Sequence, residues 1–109
     1  MFGLFKRLFI AMVLLAPSIT FAEGRLFGEG WVKCNEFLAD VEDDFPAVQA
    51  QMSWVNGYLS GRSLSDKQPM DSAKHQFKWV LDYLKVYCKE NPTQHFVFGV
   101  EQLYVEMKL

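Results

Sequence analysis

The residues with the widest chemical range in this chain are its two cysteines, Cys34 and Cys88. A thiol can attack a carbonyl, ligate a metal or join a second thiol, and the redox compartment decides among these. Lys6 and Arg7 form a positive region, Leu8 to Ala16 an apolar run, and Thr20-Phe21-Ala22 leads to a cleavage point. Together these make the three-part pattern of a secretory signal peptide over residues 1–22. The run is too short to cross roughly 30 Å of hydrocarbon at 1.5 Å per residue, so a removed leader is expected rather than an anchor. In an oxidising compartment two cysteines permit one intramolecular pairing, and Cys34–Cys88 is expected as a structural disulfide. Closing a loop of about 55 residues stabilises by roughly 4 kcal/mol in the chain-entropy treatment.

The remaining reactive side chains point away from catalysis. With both thiols consumed there is no cysteine nucleophile, and no G-x-S-x-G elbow occurs. The hydroxyls of Ser60-Gly61-Arg62-Ser63 suit backbone capping in a turn. His75 and His95 are the two histidines, and neither has a helical neighbour that completes a metal motif. Asp40, Glu42, Asp43 and Asp44 lack the alternation and central glycine of a calcium loop, and phosphate cradles of the G-x-x-x-x-G-K type are absent. No enzyme activity, cofactor or metal is expected. Losing Lys6 and Arg7 with the leader takes the formal charge from -2 to about -4, which is no footprint for nucleic acid.

The elements that position these residues are helices. Residues 23–30 read as a glycine-containing flexible lead-in, and residues 31–109 as one domain of a size at which a covalent tie matters. Cys34, Phe37, Leu38 and Val41 form the stripe of a first helix. Asp44 is a candidate N-cap, with Pro46 in the first turn, for a second helix carrying Val48, Met52, Val55 and Leu59 on one face. Trp54 and Tyr58 form an aromatic strip beside that face, and Gly57 could admit a neighbouring helix. Gly61 is expected to stop this helix near Ser60, leaving Arg62 to Met70 as the interior loop. Asp71 or Ser72 is expected to cap a third helix with Phe77, Val80, Leu81, Leu84, Val86, Tyr87 and Cys88 along its buried side. Lys85 and Lys89 complement the negative end of its dipole. Asn91 as cap and Pro92 as first residue open a fourth, with Phe96, Val100, Leu103, Tyr104 and Met107 as its stripe. The expected class is all-α: a small four-helix domain tied by one disulfide, with no strand.

Three segments carry a resemblance: Cys34-Asn35-Glu36-Phe37-Leu38, then Trp54-Val55-Asn56-Gly57-Tyr58-Leu59-Ser60-Gly61, then Tyr87-Cys88-Lys89-Glu90-Asn91-Pro92. The chain resembles the HdeA/HdeB family of small acid-stress chaperones from the Gram-negative periplasm, over Trp31 to Leu109. Gly57-Tyr58 and the aromatic content from Trp79 to Tyr87 depart from the two founding chaperones. The resemblance implies an all-helical fold, one disulfide in the matching places and an activity that needs no ATP. It also implies a protein that hides apolar surface at neutral pH, within the fold or a homodimer, and exposes it in acid to hold unfolding periplasmic clients.

These residues give that scheme a physical basis. Near pH 2 the mature chain would move to roughly +12 as its carboxylates protonate, and self-repulsion would loosen it. Trp54, Tyr58, Phe77, Trp79 and Phe96 are the expected client or dimer surface. Asp40, Glu42, Asp43 and Asp44 are the expected trigger, as carboxylates favourably placed at a helix start. The alternative is an interaction protein with one dedicated partner. Periplasmic immunity proteins against peptidoglycan-amidase toxins are also small, exported and disulfide-tied, and carry a Gly-Tyr pair similar to Gly57-Tyr58.

Overall fold

The computed structural model describes residues 28–109. The expected leader and residues 23–27 of the lead-in lie outside the described residues. A 3-10 turn, Gly28–Trp31, precedes four helices: α1 (Cys34–Asp43), α2 (Phe45–Asp66), α3 (Phe77–Glu90) and α4 (Phe96–Met107). Among the described residues there are no strands, only isolated antiparallel bridges at Lys33 with His95 and Met70 with Lys108. The all-α, four-helix reading therefore holds. α1 packs on α2 and α3, α3 packs also on α4, and α2 approaches α4 only lightly along the backbone.

The apolar stripes meet in one core. Phe37, Val48, Val55, Val80, Leu84, Phe96, Val100, Leu103, Tyr104 and Met107 are essentially inaccessible, and Phe37 and Phe96 place their rings 4.6 Å apart. Cys34 and Cys88 are also fully buried, bonded to each other with Cα atoms 4.8 Å apart. The bridge thus joins the first residue of α1 to the last turn of α3. Two members of the expected α3 stripe face outward instead: Phe77 is 46% and Val86 57% exposed.

Local chemistry explains most helix ends. Asp44 caps α2 as expected, its carboxylate accepting from the Ala47 amide at 3.2 Å, with Pro46 in the first turn. α2 does not stop at Gly61, however, and continues to Asp66, so the interior loop begins at Lys67. The stop is Lys67 itself, in left-handed conformation (φ 51°), with its amide and that of Gln68 donating to the Leu64 and Ser63 carbonyls. Ser63 adds a hydroxyl bond to the Gln68 carbonyl at 2.6 Å. The helix passes through Gly61 because glycine costs only about 1 kcal/mol there. The side chains beyond it find partners on α4, described below.

The expected caps of α3 and α4 are used differently. Asp71 caps a local turn, accepting from the Ala73 amide at 3.0 Å, and its own amide donates to the Met107 carbonyl at 2.8 Å. The loop is thereby held to the end of α4, and α3 starts only at Phe77. Asn91 closes α3, its side-chain amide donating to the Tyr87 carbonyl at 3.0 Å. The residues after it are occupied with α1. The Cys34 amide donates to the Gln94 carbonyl at 2.8 Å, and the Asn35 amide to the Pro92 carbonyl at 2.9 Å. In return the Phe96 amide donates to the Val32 carbonyl at 2.7 Å. Pro92 and Gln94 thus satisfy two of the orphan donors of α1, and α4 begins at Phe96 rather than at Pro92.

Candidate functional site

A side-chain bridge connects α2 to α4 where their backbones stay apart. Trp54, Tyr58, Arg62 and Asp66 recur every four residues along one ridge of α2. Glu101 and Tyr104 of α4 and Lys108, the residue just past its end, follow at spacings of three and four. Tyr58 Oη and Arg62 Nη1 both donate to Glu101 Oε1. Tyr104 Oη donates to Asp66 Oδ2 at 2.8 Å, and Arg62 Nε pairs with the same oxygen at 3.4 Å. The Tyr104 ring lies between two cations, with the Arg62 guanidinium 4.6 Å and Lys108 Nζ 4.9 Å from its centroid.

The electrostatics follow this geometry. The Tyr104 hydroxyl, helped by Arg62 and Lys108, holds the Asp66 carboxyl below its ordinary value. Glu101 and the Tyr58 hydroxyl make Arg62 still harder to deprotonate. Burial, then the neighbouring carboxylates, pushes Tyr58 and Tyr104 above the ordinary phenol value. The cluster is a cross-brace. None of its carboxylates forms an acid/base pair with a second carboxyl.

The second feature is an open cleft of about 430 Å³ between α3 and α4. Trp79, Tyr83 and Tyr87 form an aromatic row at four-residue spacing, the first two rings 5.7 Å apart and stacked. Val86, Asp82 and Glu90 complete the α3 side, and Gln102 lines it from α4. Tyr87 lies so close to Gly99 that a Cβ there would come 2.5 Å from its ring. A third feature, a cleft of about 410 Å³ under the loop, includes Ser60, Ser63 and His75. Its Ser63 hydroxyl caps the backbone, and the His75 amide donates to the Ser72 carbonyl at 3.2 Å. Among the described residues no group of three His, Cys, Asp or Glu side chains could hold a metal, and no helix is long and apolar enough to cross a membrane.

The residues singled out from sequence are scattered. Trp54 stacks on Tyr58 at 5.0 Å and covers Gly30, where a Cβ would fall 2.1 Å from the indole. Phe77 is exposed beside Phe45, Trp79 lies in the α3/α4 cleft, and Phe96 is core. Of the four acids, only Asp44 stands at a helix start. Asp40, Glu42 and Asp43 occupy the last turn of α1, where the dipole disfavours anions. Asp40 accepts from Gln51 Nε2 at 2.8 Å, while Gln51 Oε1 is buried without a partner among the described residues. Sequence reasoning missed Arg62, Asp66, Glu101 and Tyr104 as a group. The signal was present in the four-residue recurrence of Tyr58, Arg62 and Asp66, and was lost by ending α2 at Gly61.

No family model matches this chain, and neither a curated protein nor a solved structure matches it.

Proposed function

We propose that this protein is an ATP-independent periplasmic chaperone that exposes apolar surface in acid and holds unfolding clients. The observation supporting this reading most directly is the carboxylate bridge from α2 to α4. Asp66 has a folded value below its unfolded one near 3.8, so its bond adds stability above that value. The contribution is lost as pH falls through the lowered folded value. Protonating Asp66 removes the acceptor of Tyr104 and one anion beside Arg62, while the disulfide keeps α1 and α3 joined. α4 is attached to the rest by non-covalent contacts and chain connectivity. Its departure uncovers Phe96, Val100, Leu103 and Tyr104, a surface able to shield a client.

The test is light scattering of an acid-denatured client enzyme with and without the protein, at about pH 2.5 and about pH 7. Suppression in acid alone is expected, and Glu101→Gln should move its onset to higher pH. Absence of suppression at both values rules the reading out. A second reading, one dedicated partner engaged at neutral pH, is favoured by one observation: the α3/α4 cleft is open in the folded state.

A further inference from the structure

We infer that Asp40 and Gln51 form an acid-completed tie between α1 and α2, in which one proton on Asp40 supplies the hydrogen bond that the buried Gln51 amide lacks. Among the described residues Gln51 is the polar side chain enclosed in the core, 1% exposed. A primary amide has a donor end and an acceptor end. The donor end is used, Nε2 donating to Asp40 Oδ2 at 2.8 Å, and the acceptor end, Oε1, is buried without a partner among the described residues. An unbonded buried oxygen of this kind costs roughly tenfold in the folding equilibrium. An ionised carboxylate only accepts and leaves Oε1 unanswered, whereas a carboxylic acid carries one O–H donor and keeps an acceptor oxygen. A proton from solvent therefore adds to Asp40 Oδ1 and takes the group from charge -1 to zero. The new O–H donates to Gln51 Oε1 while Oδ2 goes on accepting from Nε2, so acid and amide close one ring of two hydrogen bonds. The last torsion of an aspartate is soft, which lets the two planar groups turn into one plane.

The surroundings favour that proton. Asp40 lies in the last turn of α1, where the dipole opposes an anion, with Glu36 one turn earlier and Glu42, Asp43 and Asp44 following it. α2, which carries Gln51, has no charged residue from Phe45 to Gly61. α3, the other helix packed on α1, carries Lys78, Asp82, Lys85, Lys89 and Glu90. Lys78 pairs with Asp82, Lys85 stands near the same carboxylate, and Asp40 has no salt bridge among the described residues. The bond from Gln51 Nε2 is thus the contact that holds the charged form. Acid acts here in the sense opposite to its action at Asp66. It removes an acceptor between α2 and α4 and adds a donor between α1 and α2. With Cys34–Cys88 joining α1 to α3, the first three helices stay tied and α4 is the element that acid loosens. The tie does not depend on the chaperone reading.

The experiment is urea unfolding of the disulfide-bonded full chain at about pH 7 and about pH 3, with Asp40→Asn as the variant that offers Gln51 a donor and an acceptor at every pH. At neutral pH Asp40→Asn should raise the folding equilibrium constant roughly tenfold, and the advantage should shrink in acid as Asp40 takes up its own proton. Asp43→Asn, exposed in the same turn, removes a like charge without reaching Gln51 and should give a smaller gain. Gln51→Met, which fills a similar space without an amide, should abolish the difference between the two. NMR of the wild type reads the same pair without a core substitution. On acidification the side-chain carbonyl carbon of Gln51 should move to the position it already holds at neutral pH in Asp40→Asn. An Asp40→Asn gain no larger than that of Asp43→Asn, an equal gain at both pH values, or a Gln51 signal unmoved by acid overturns the tie. So does a buried water bonded to Gln51 Oε1 in a neutral-pH crystal, since the amide then lacks nothing.

Discussion

Gly57 and Gly61 lie in α2 with nothing within 4 Å of where a Cβ would stand, so neither admits a neighbouring helix. Each weakens the helix without a packing return. Gly57→Ala and Gly61→Ala should each raise stability by about 0.5 to 1 kcal/mol in urea unfolding, and additively. Gly30 and Gly99 are the opposite case. The Trp54 indole fills the place of a Cβ at the first and the Tyr87 ring at the second. Gly99→Ala should destabilise by about 1 to 3 kcal/mol, as overpacking does, and deform the α3/α4 cleft. Equal effects at Gly61 and Gly99 would contradict this assignment. All four are glycines at helical or turn-like spacing, and only the partner placed over two of them by the fold distinguishes them.

At the scale of elements, α4 is held in two ways: an apolar stripe toward the core and phenol-carboxylate bonds toward α2. The stripe at Phe96, Val100, Leu103, Tyr104 and Met107 follows from helical period alone, and all five residues are fully buried. The bonds depend on α2 reaching Asp66, which sequence reasoning had ended early. Tyr58 and Tyr104 belong to this bridge, and Tyr83 and Tyr87 to the cleft. All four have phenols raised above 10.0, each chiefly by burial. A raised folded value means a contribution fully present below the unfolded value near 10 and lost as pH rises through the folded one. Alkaline titration followed by tyrosinate absorbance should therefore show no ordinary step near pH 10, with ionisation arriving late and together with loss of helicity. A phenol ionising at its ordinary value while helicity is intact would show that one of these rings is not held as described.

For the molecule as a whole, the Cys34–Cys88 bond links α1 to α3 across the core and leaves α2 and α4 to non-covalent packing. Because it closes about 55 residues, reduction should lower stability by roughly 4 kcal/mol, read as the shift in urea midpoint between oxidised and reduced protein. A shift under about 1 kcal/mol would mean that the buried contacts already restrict the unfolded chain.

Four helical stripes, an Asp44 cap and a single sulfur pairing were legible in residue order, because period, capping and pairing are properties of neighbours along the chain. Helix ends were legible only where a local cap decides them. α2 runs past Gly61 because Arg62 and Asp66 meet Glu101 and Tyr104, and α4 starts late because Pro92 and Gln94 give their carbonyls to α1. Residues 38 or 39 positions apart in the first case, and 57 or more in the second, share these bonds. No local pattern encodes such encounters. The bridge and the aromatic cleft exist only once tertiary packing has brought their helices together.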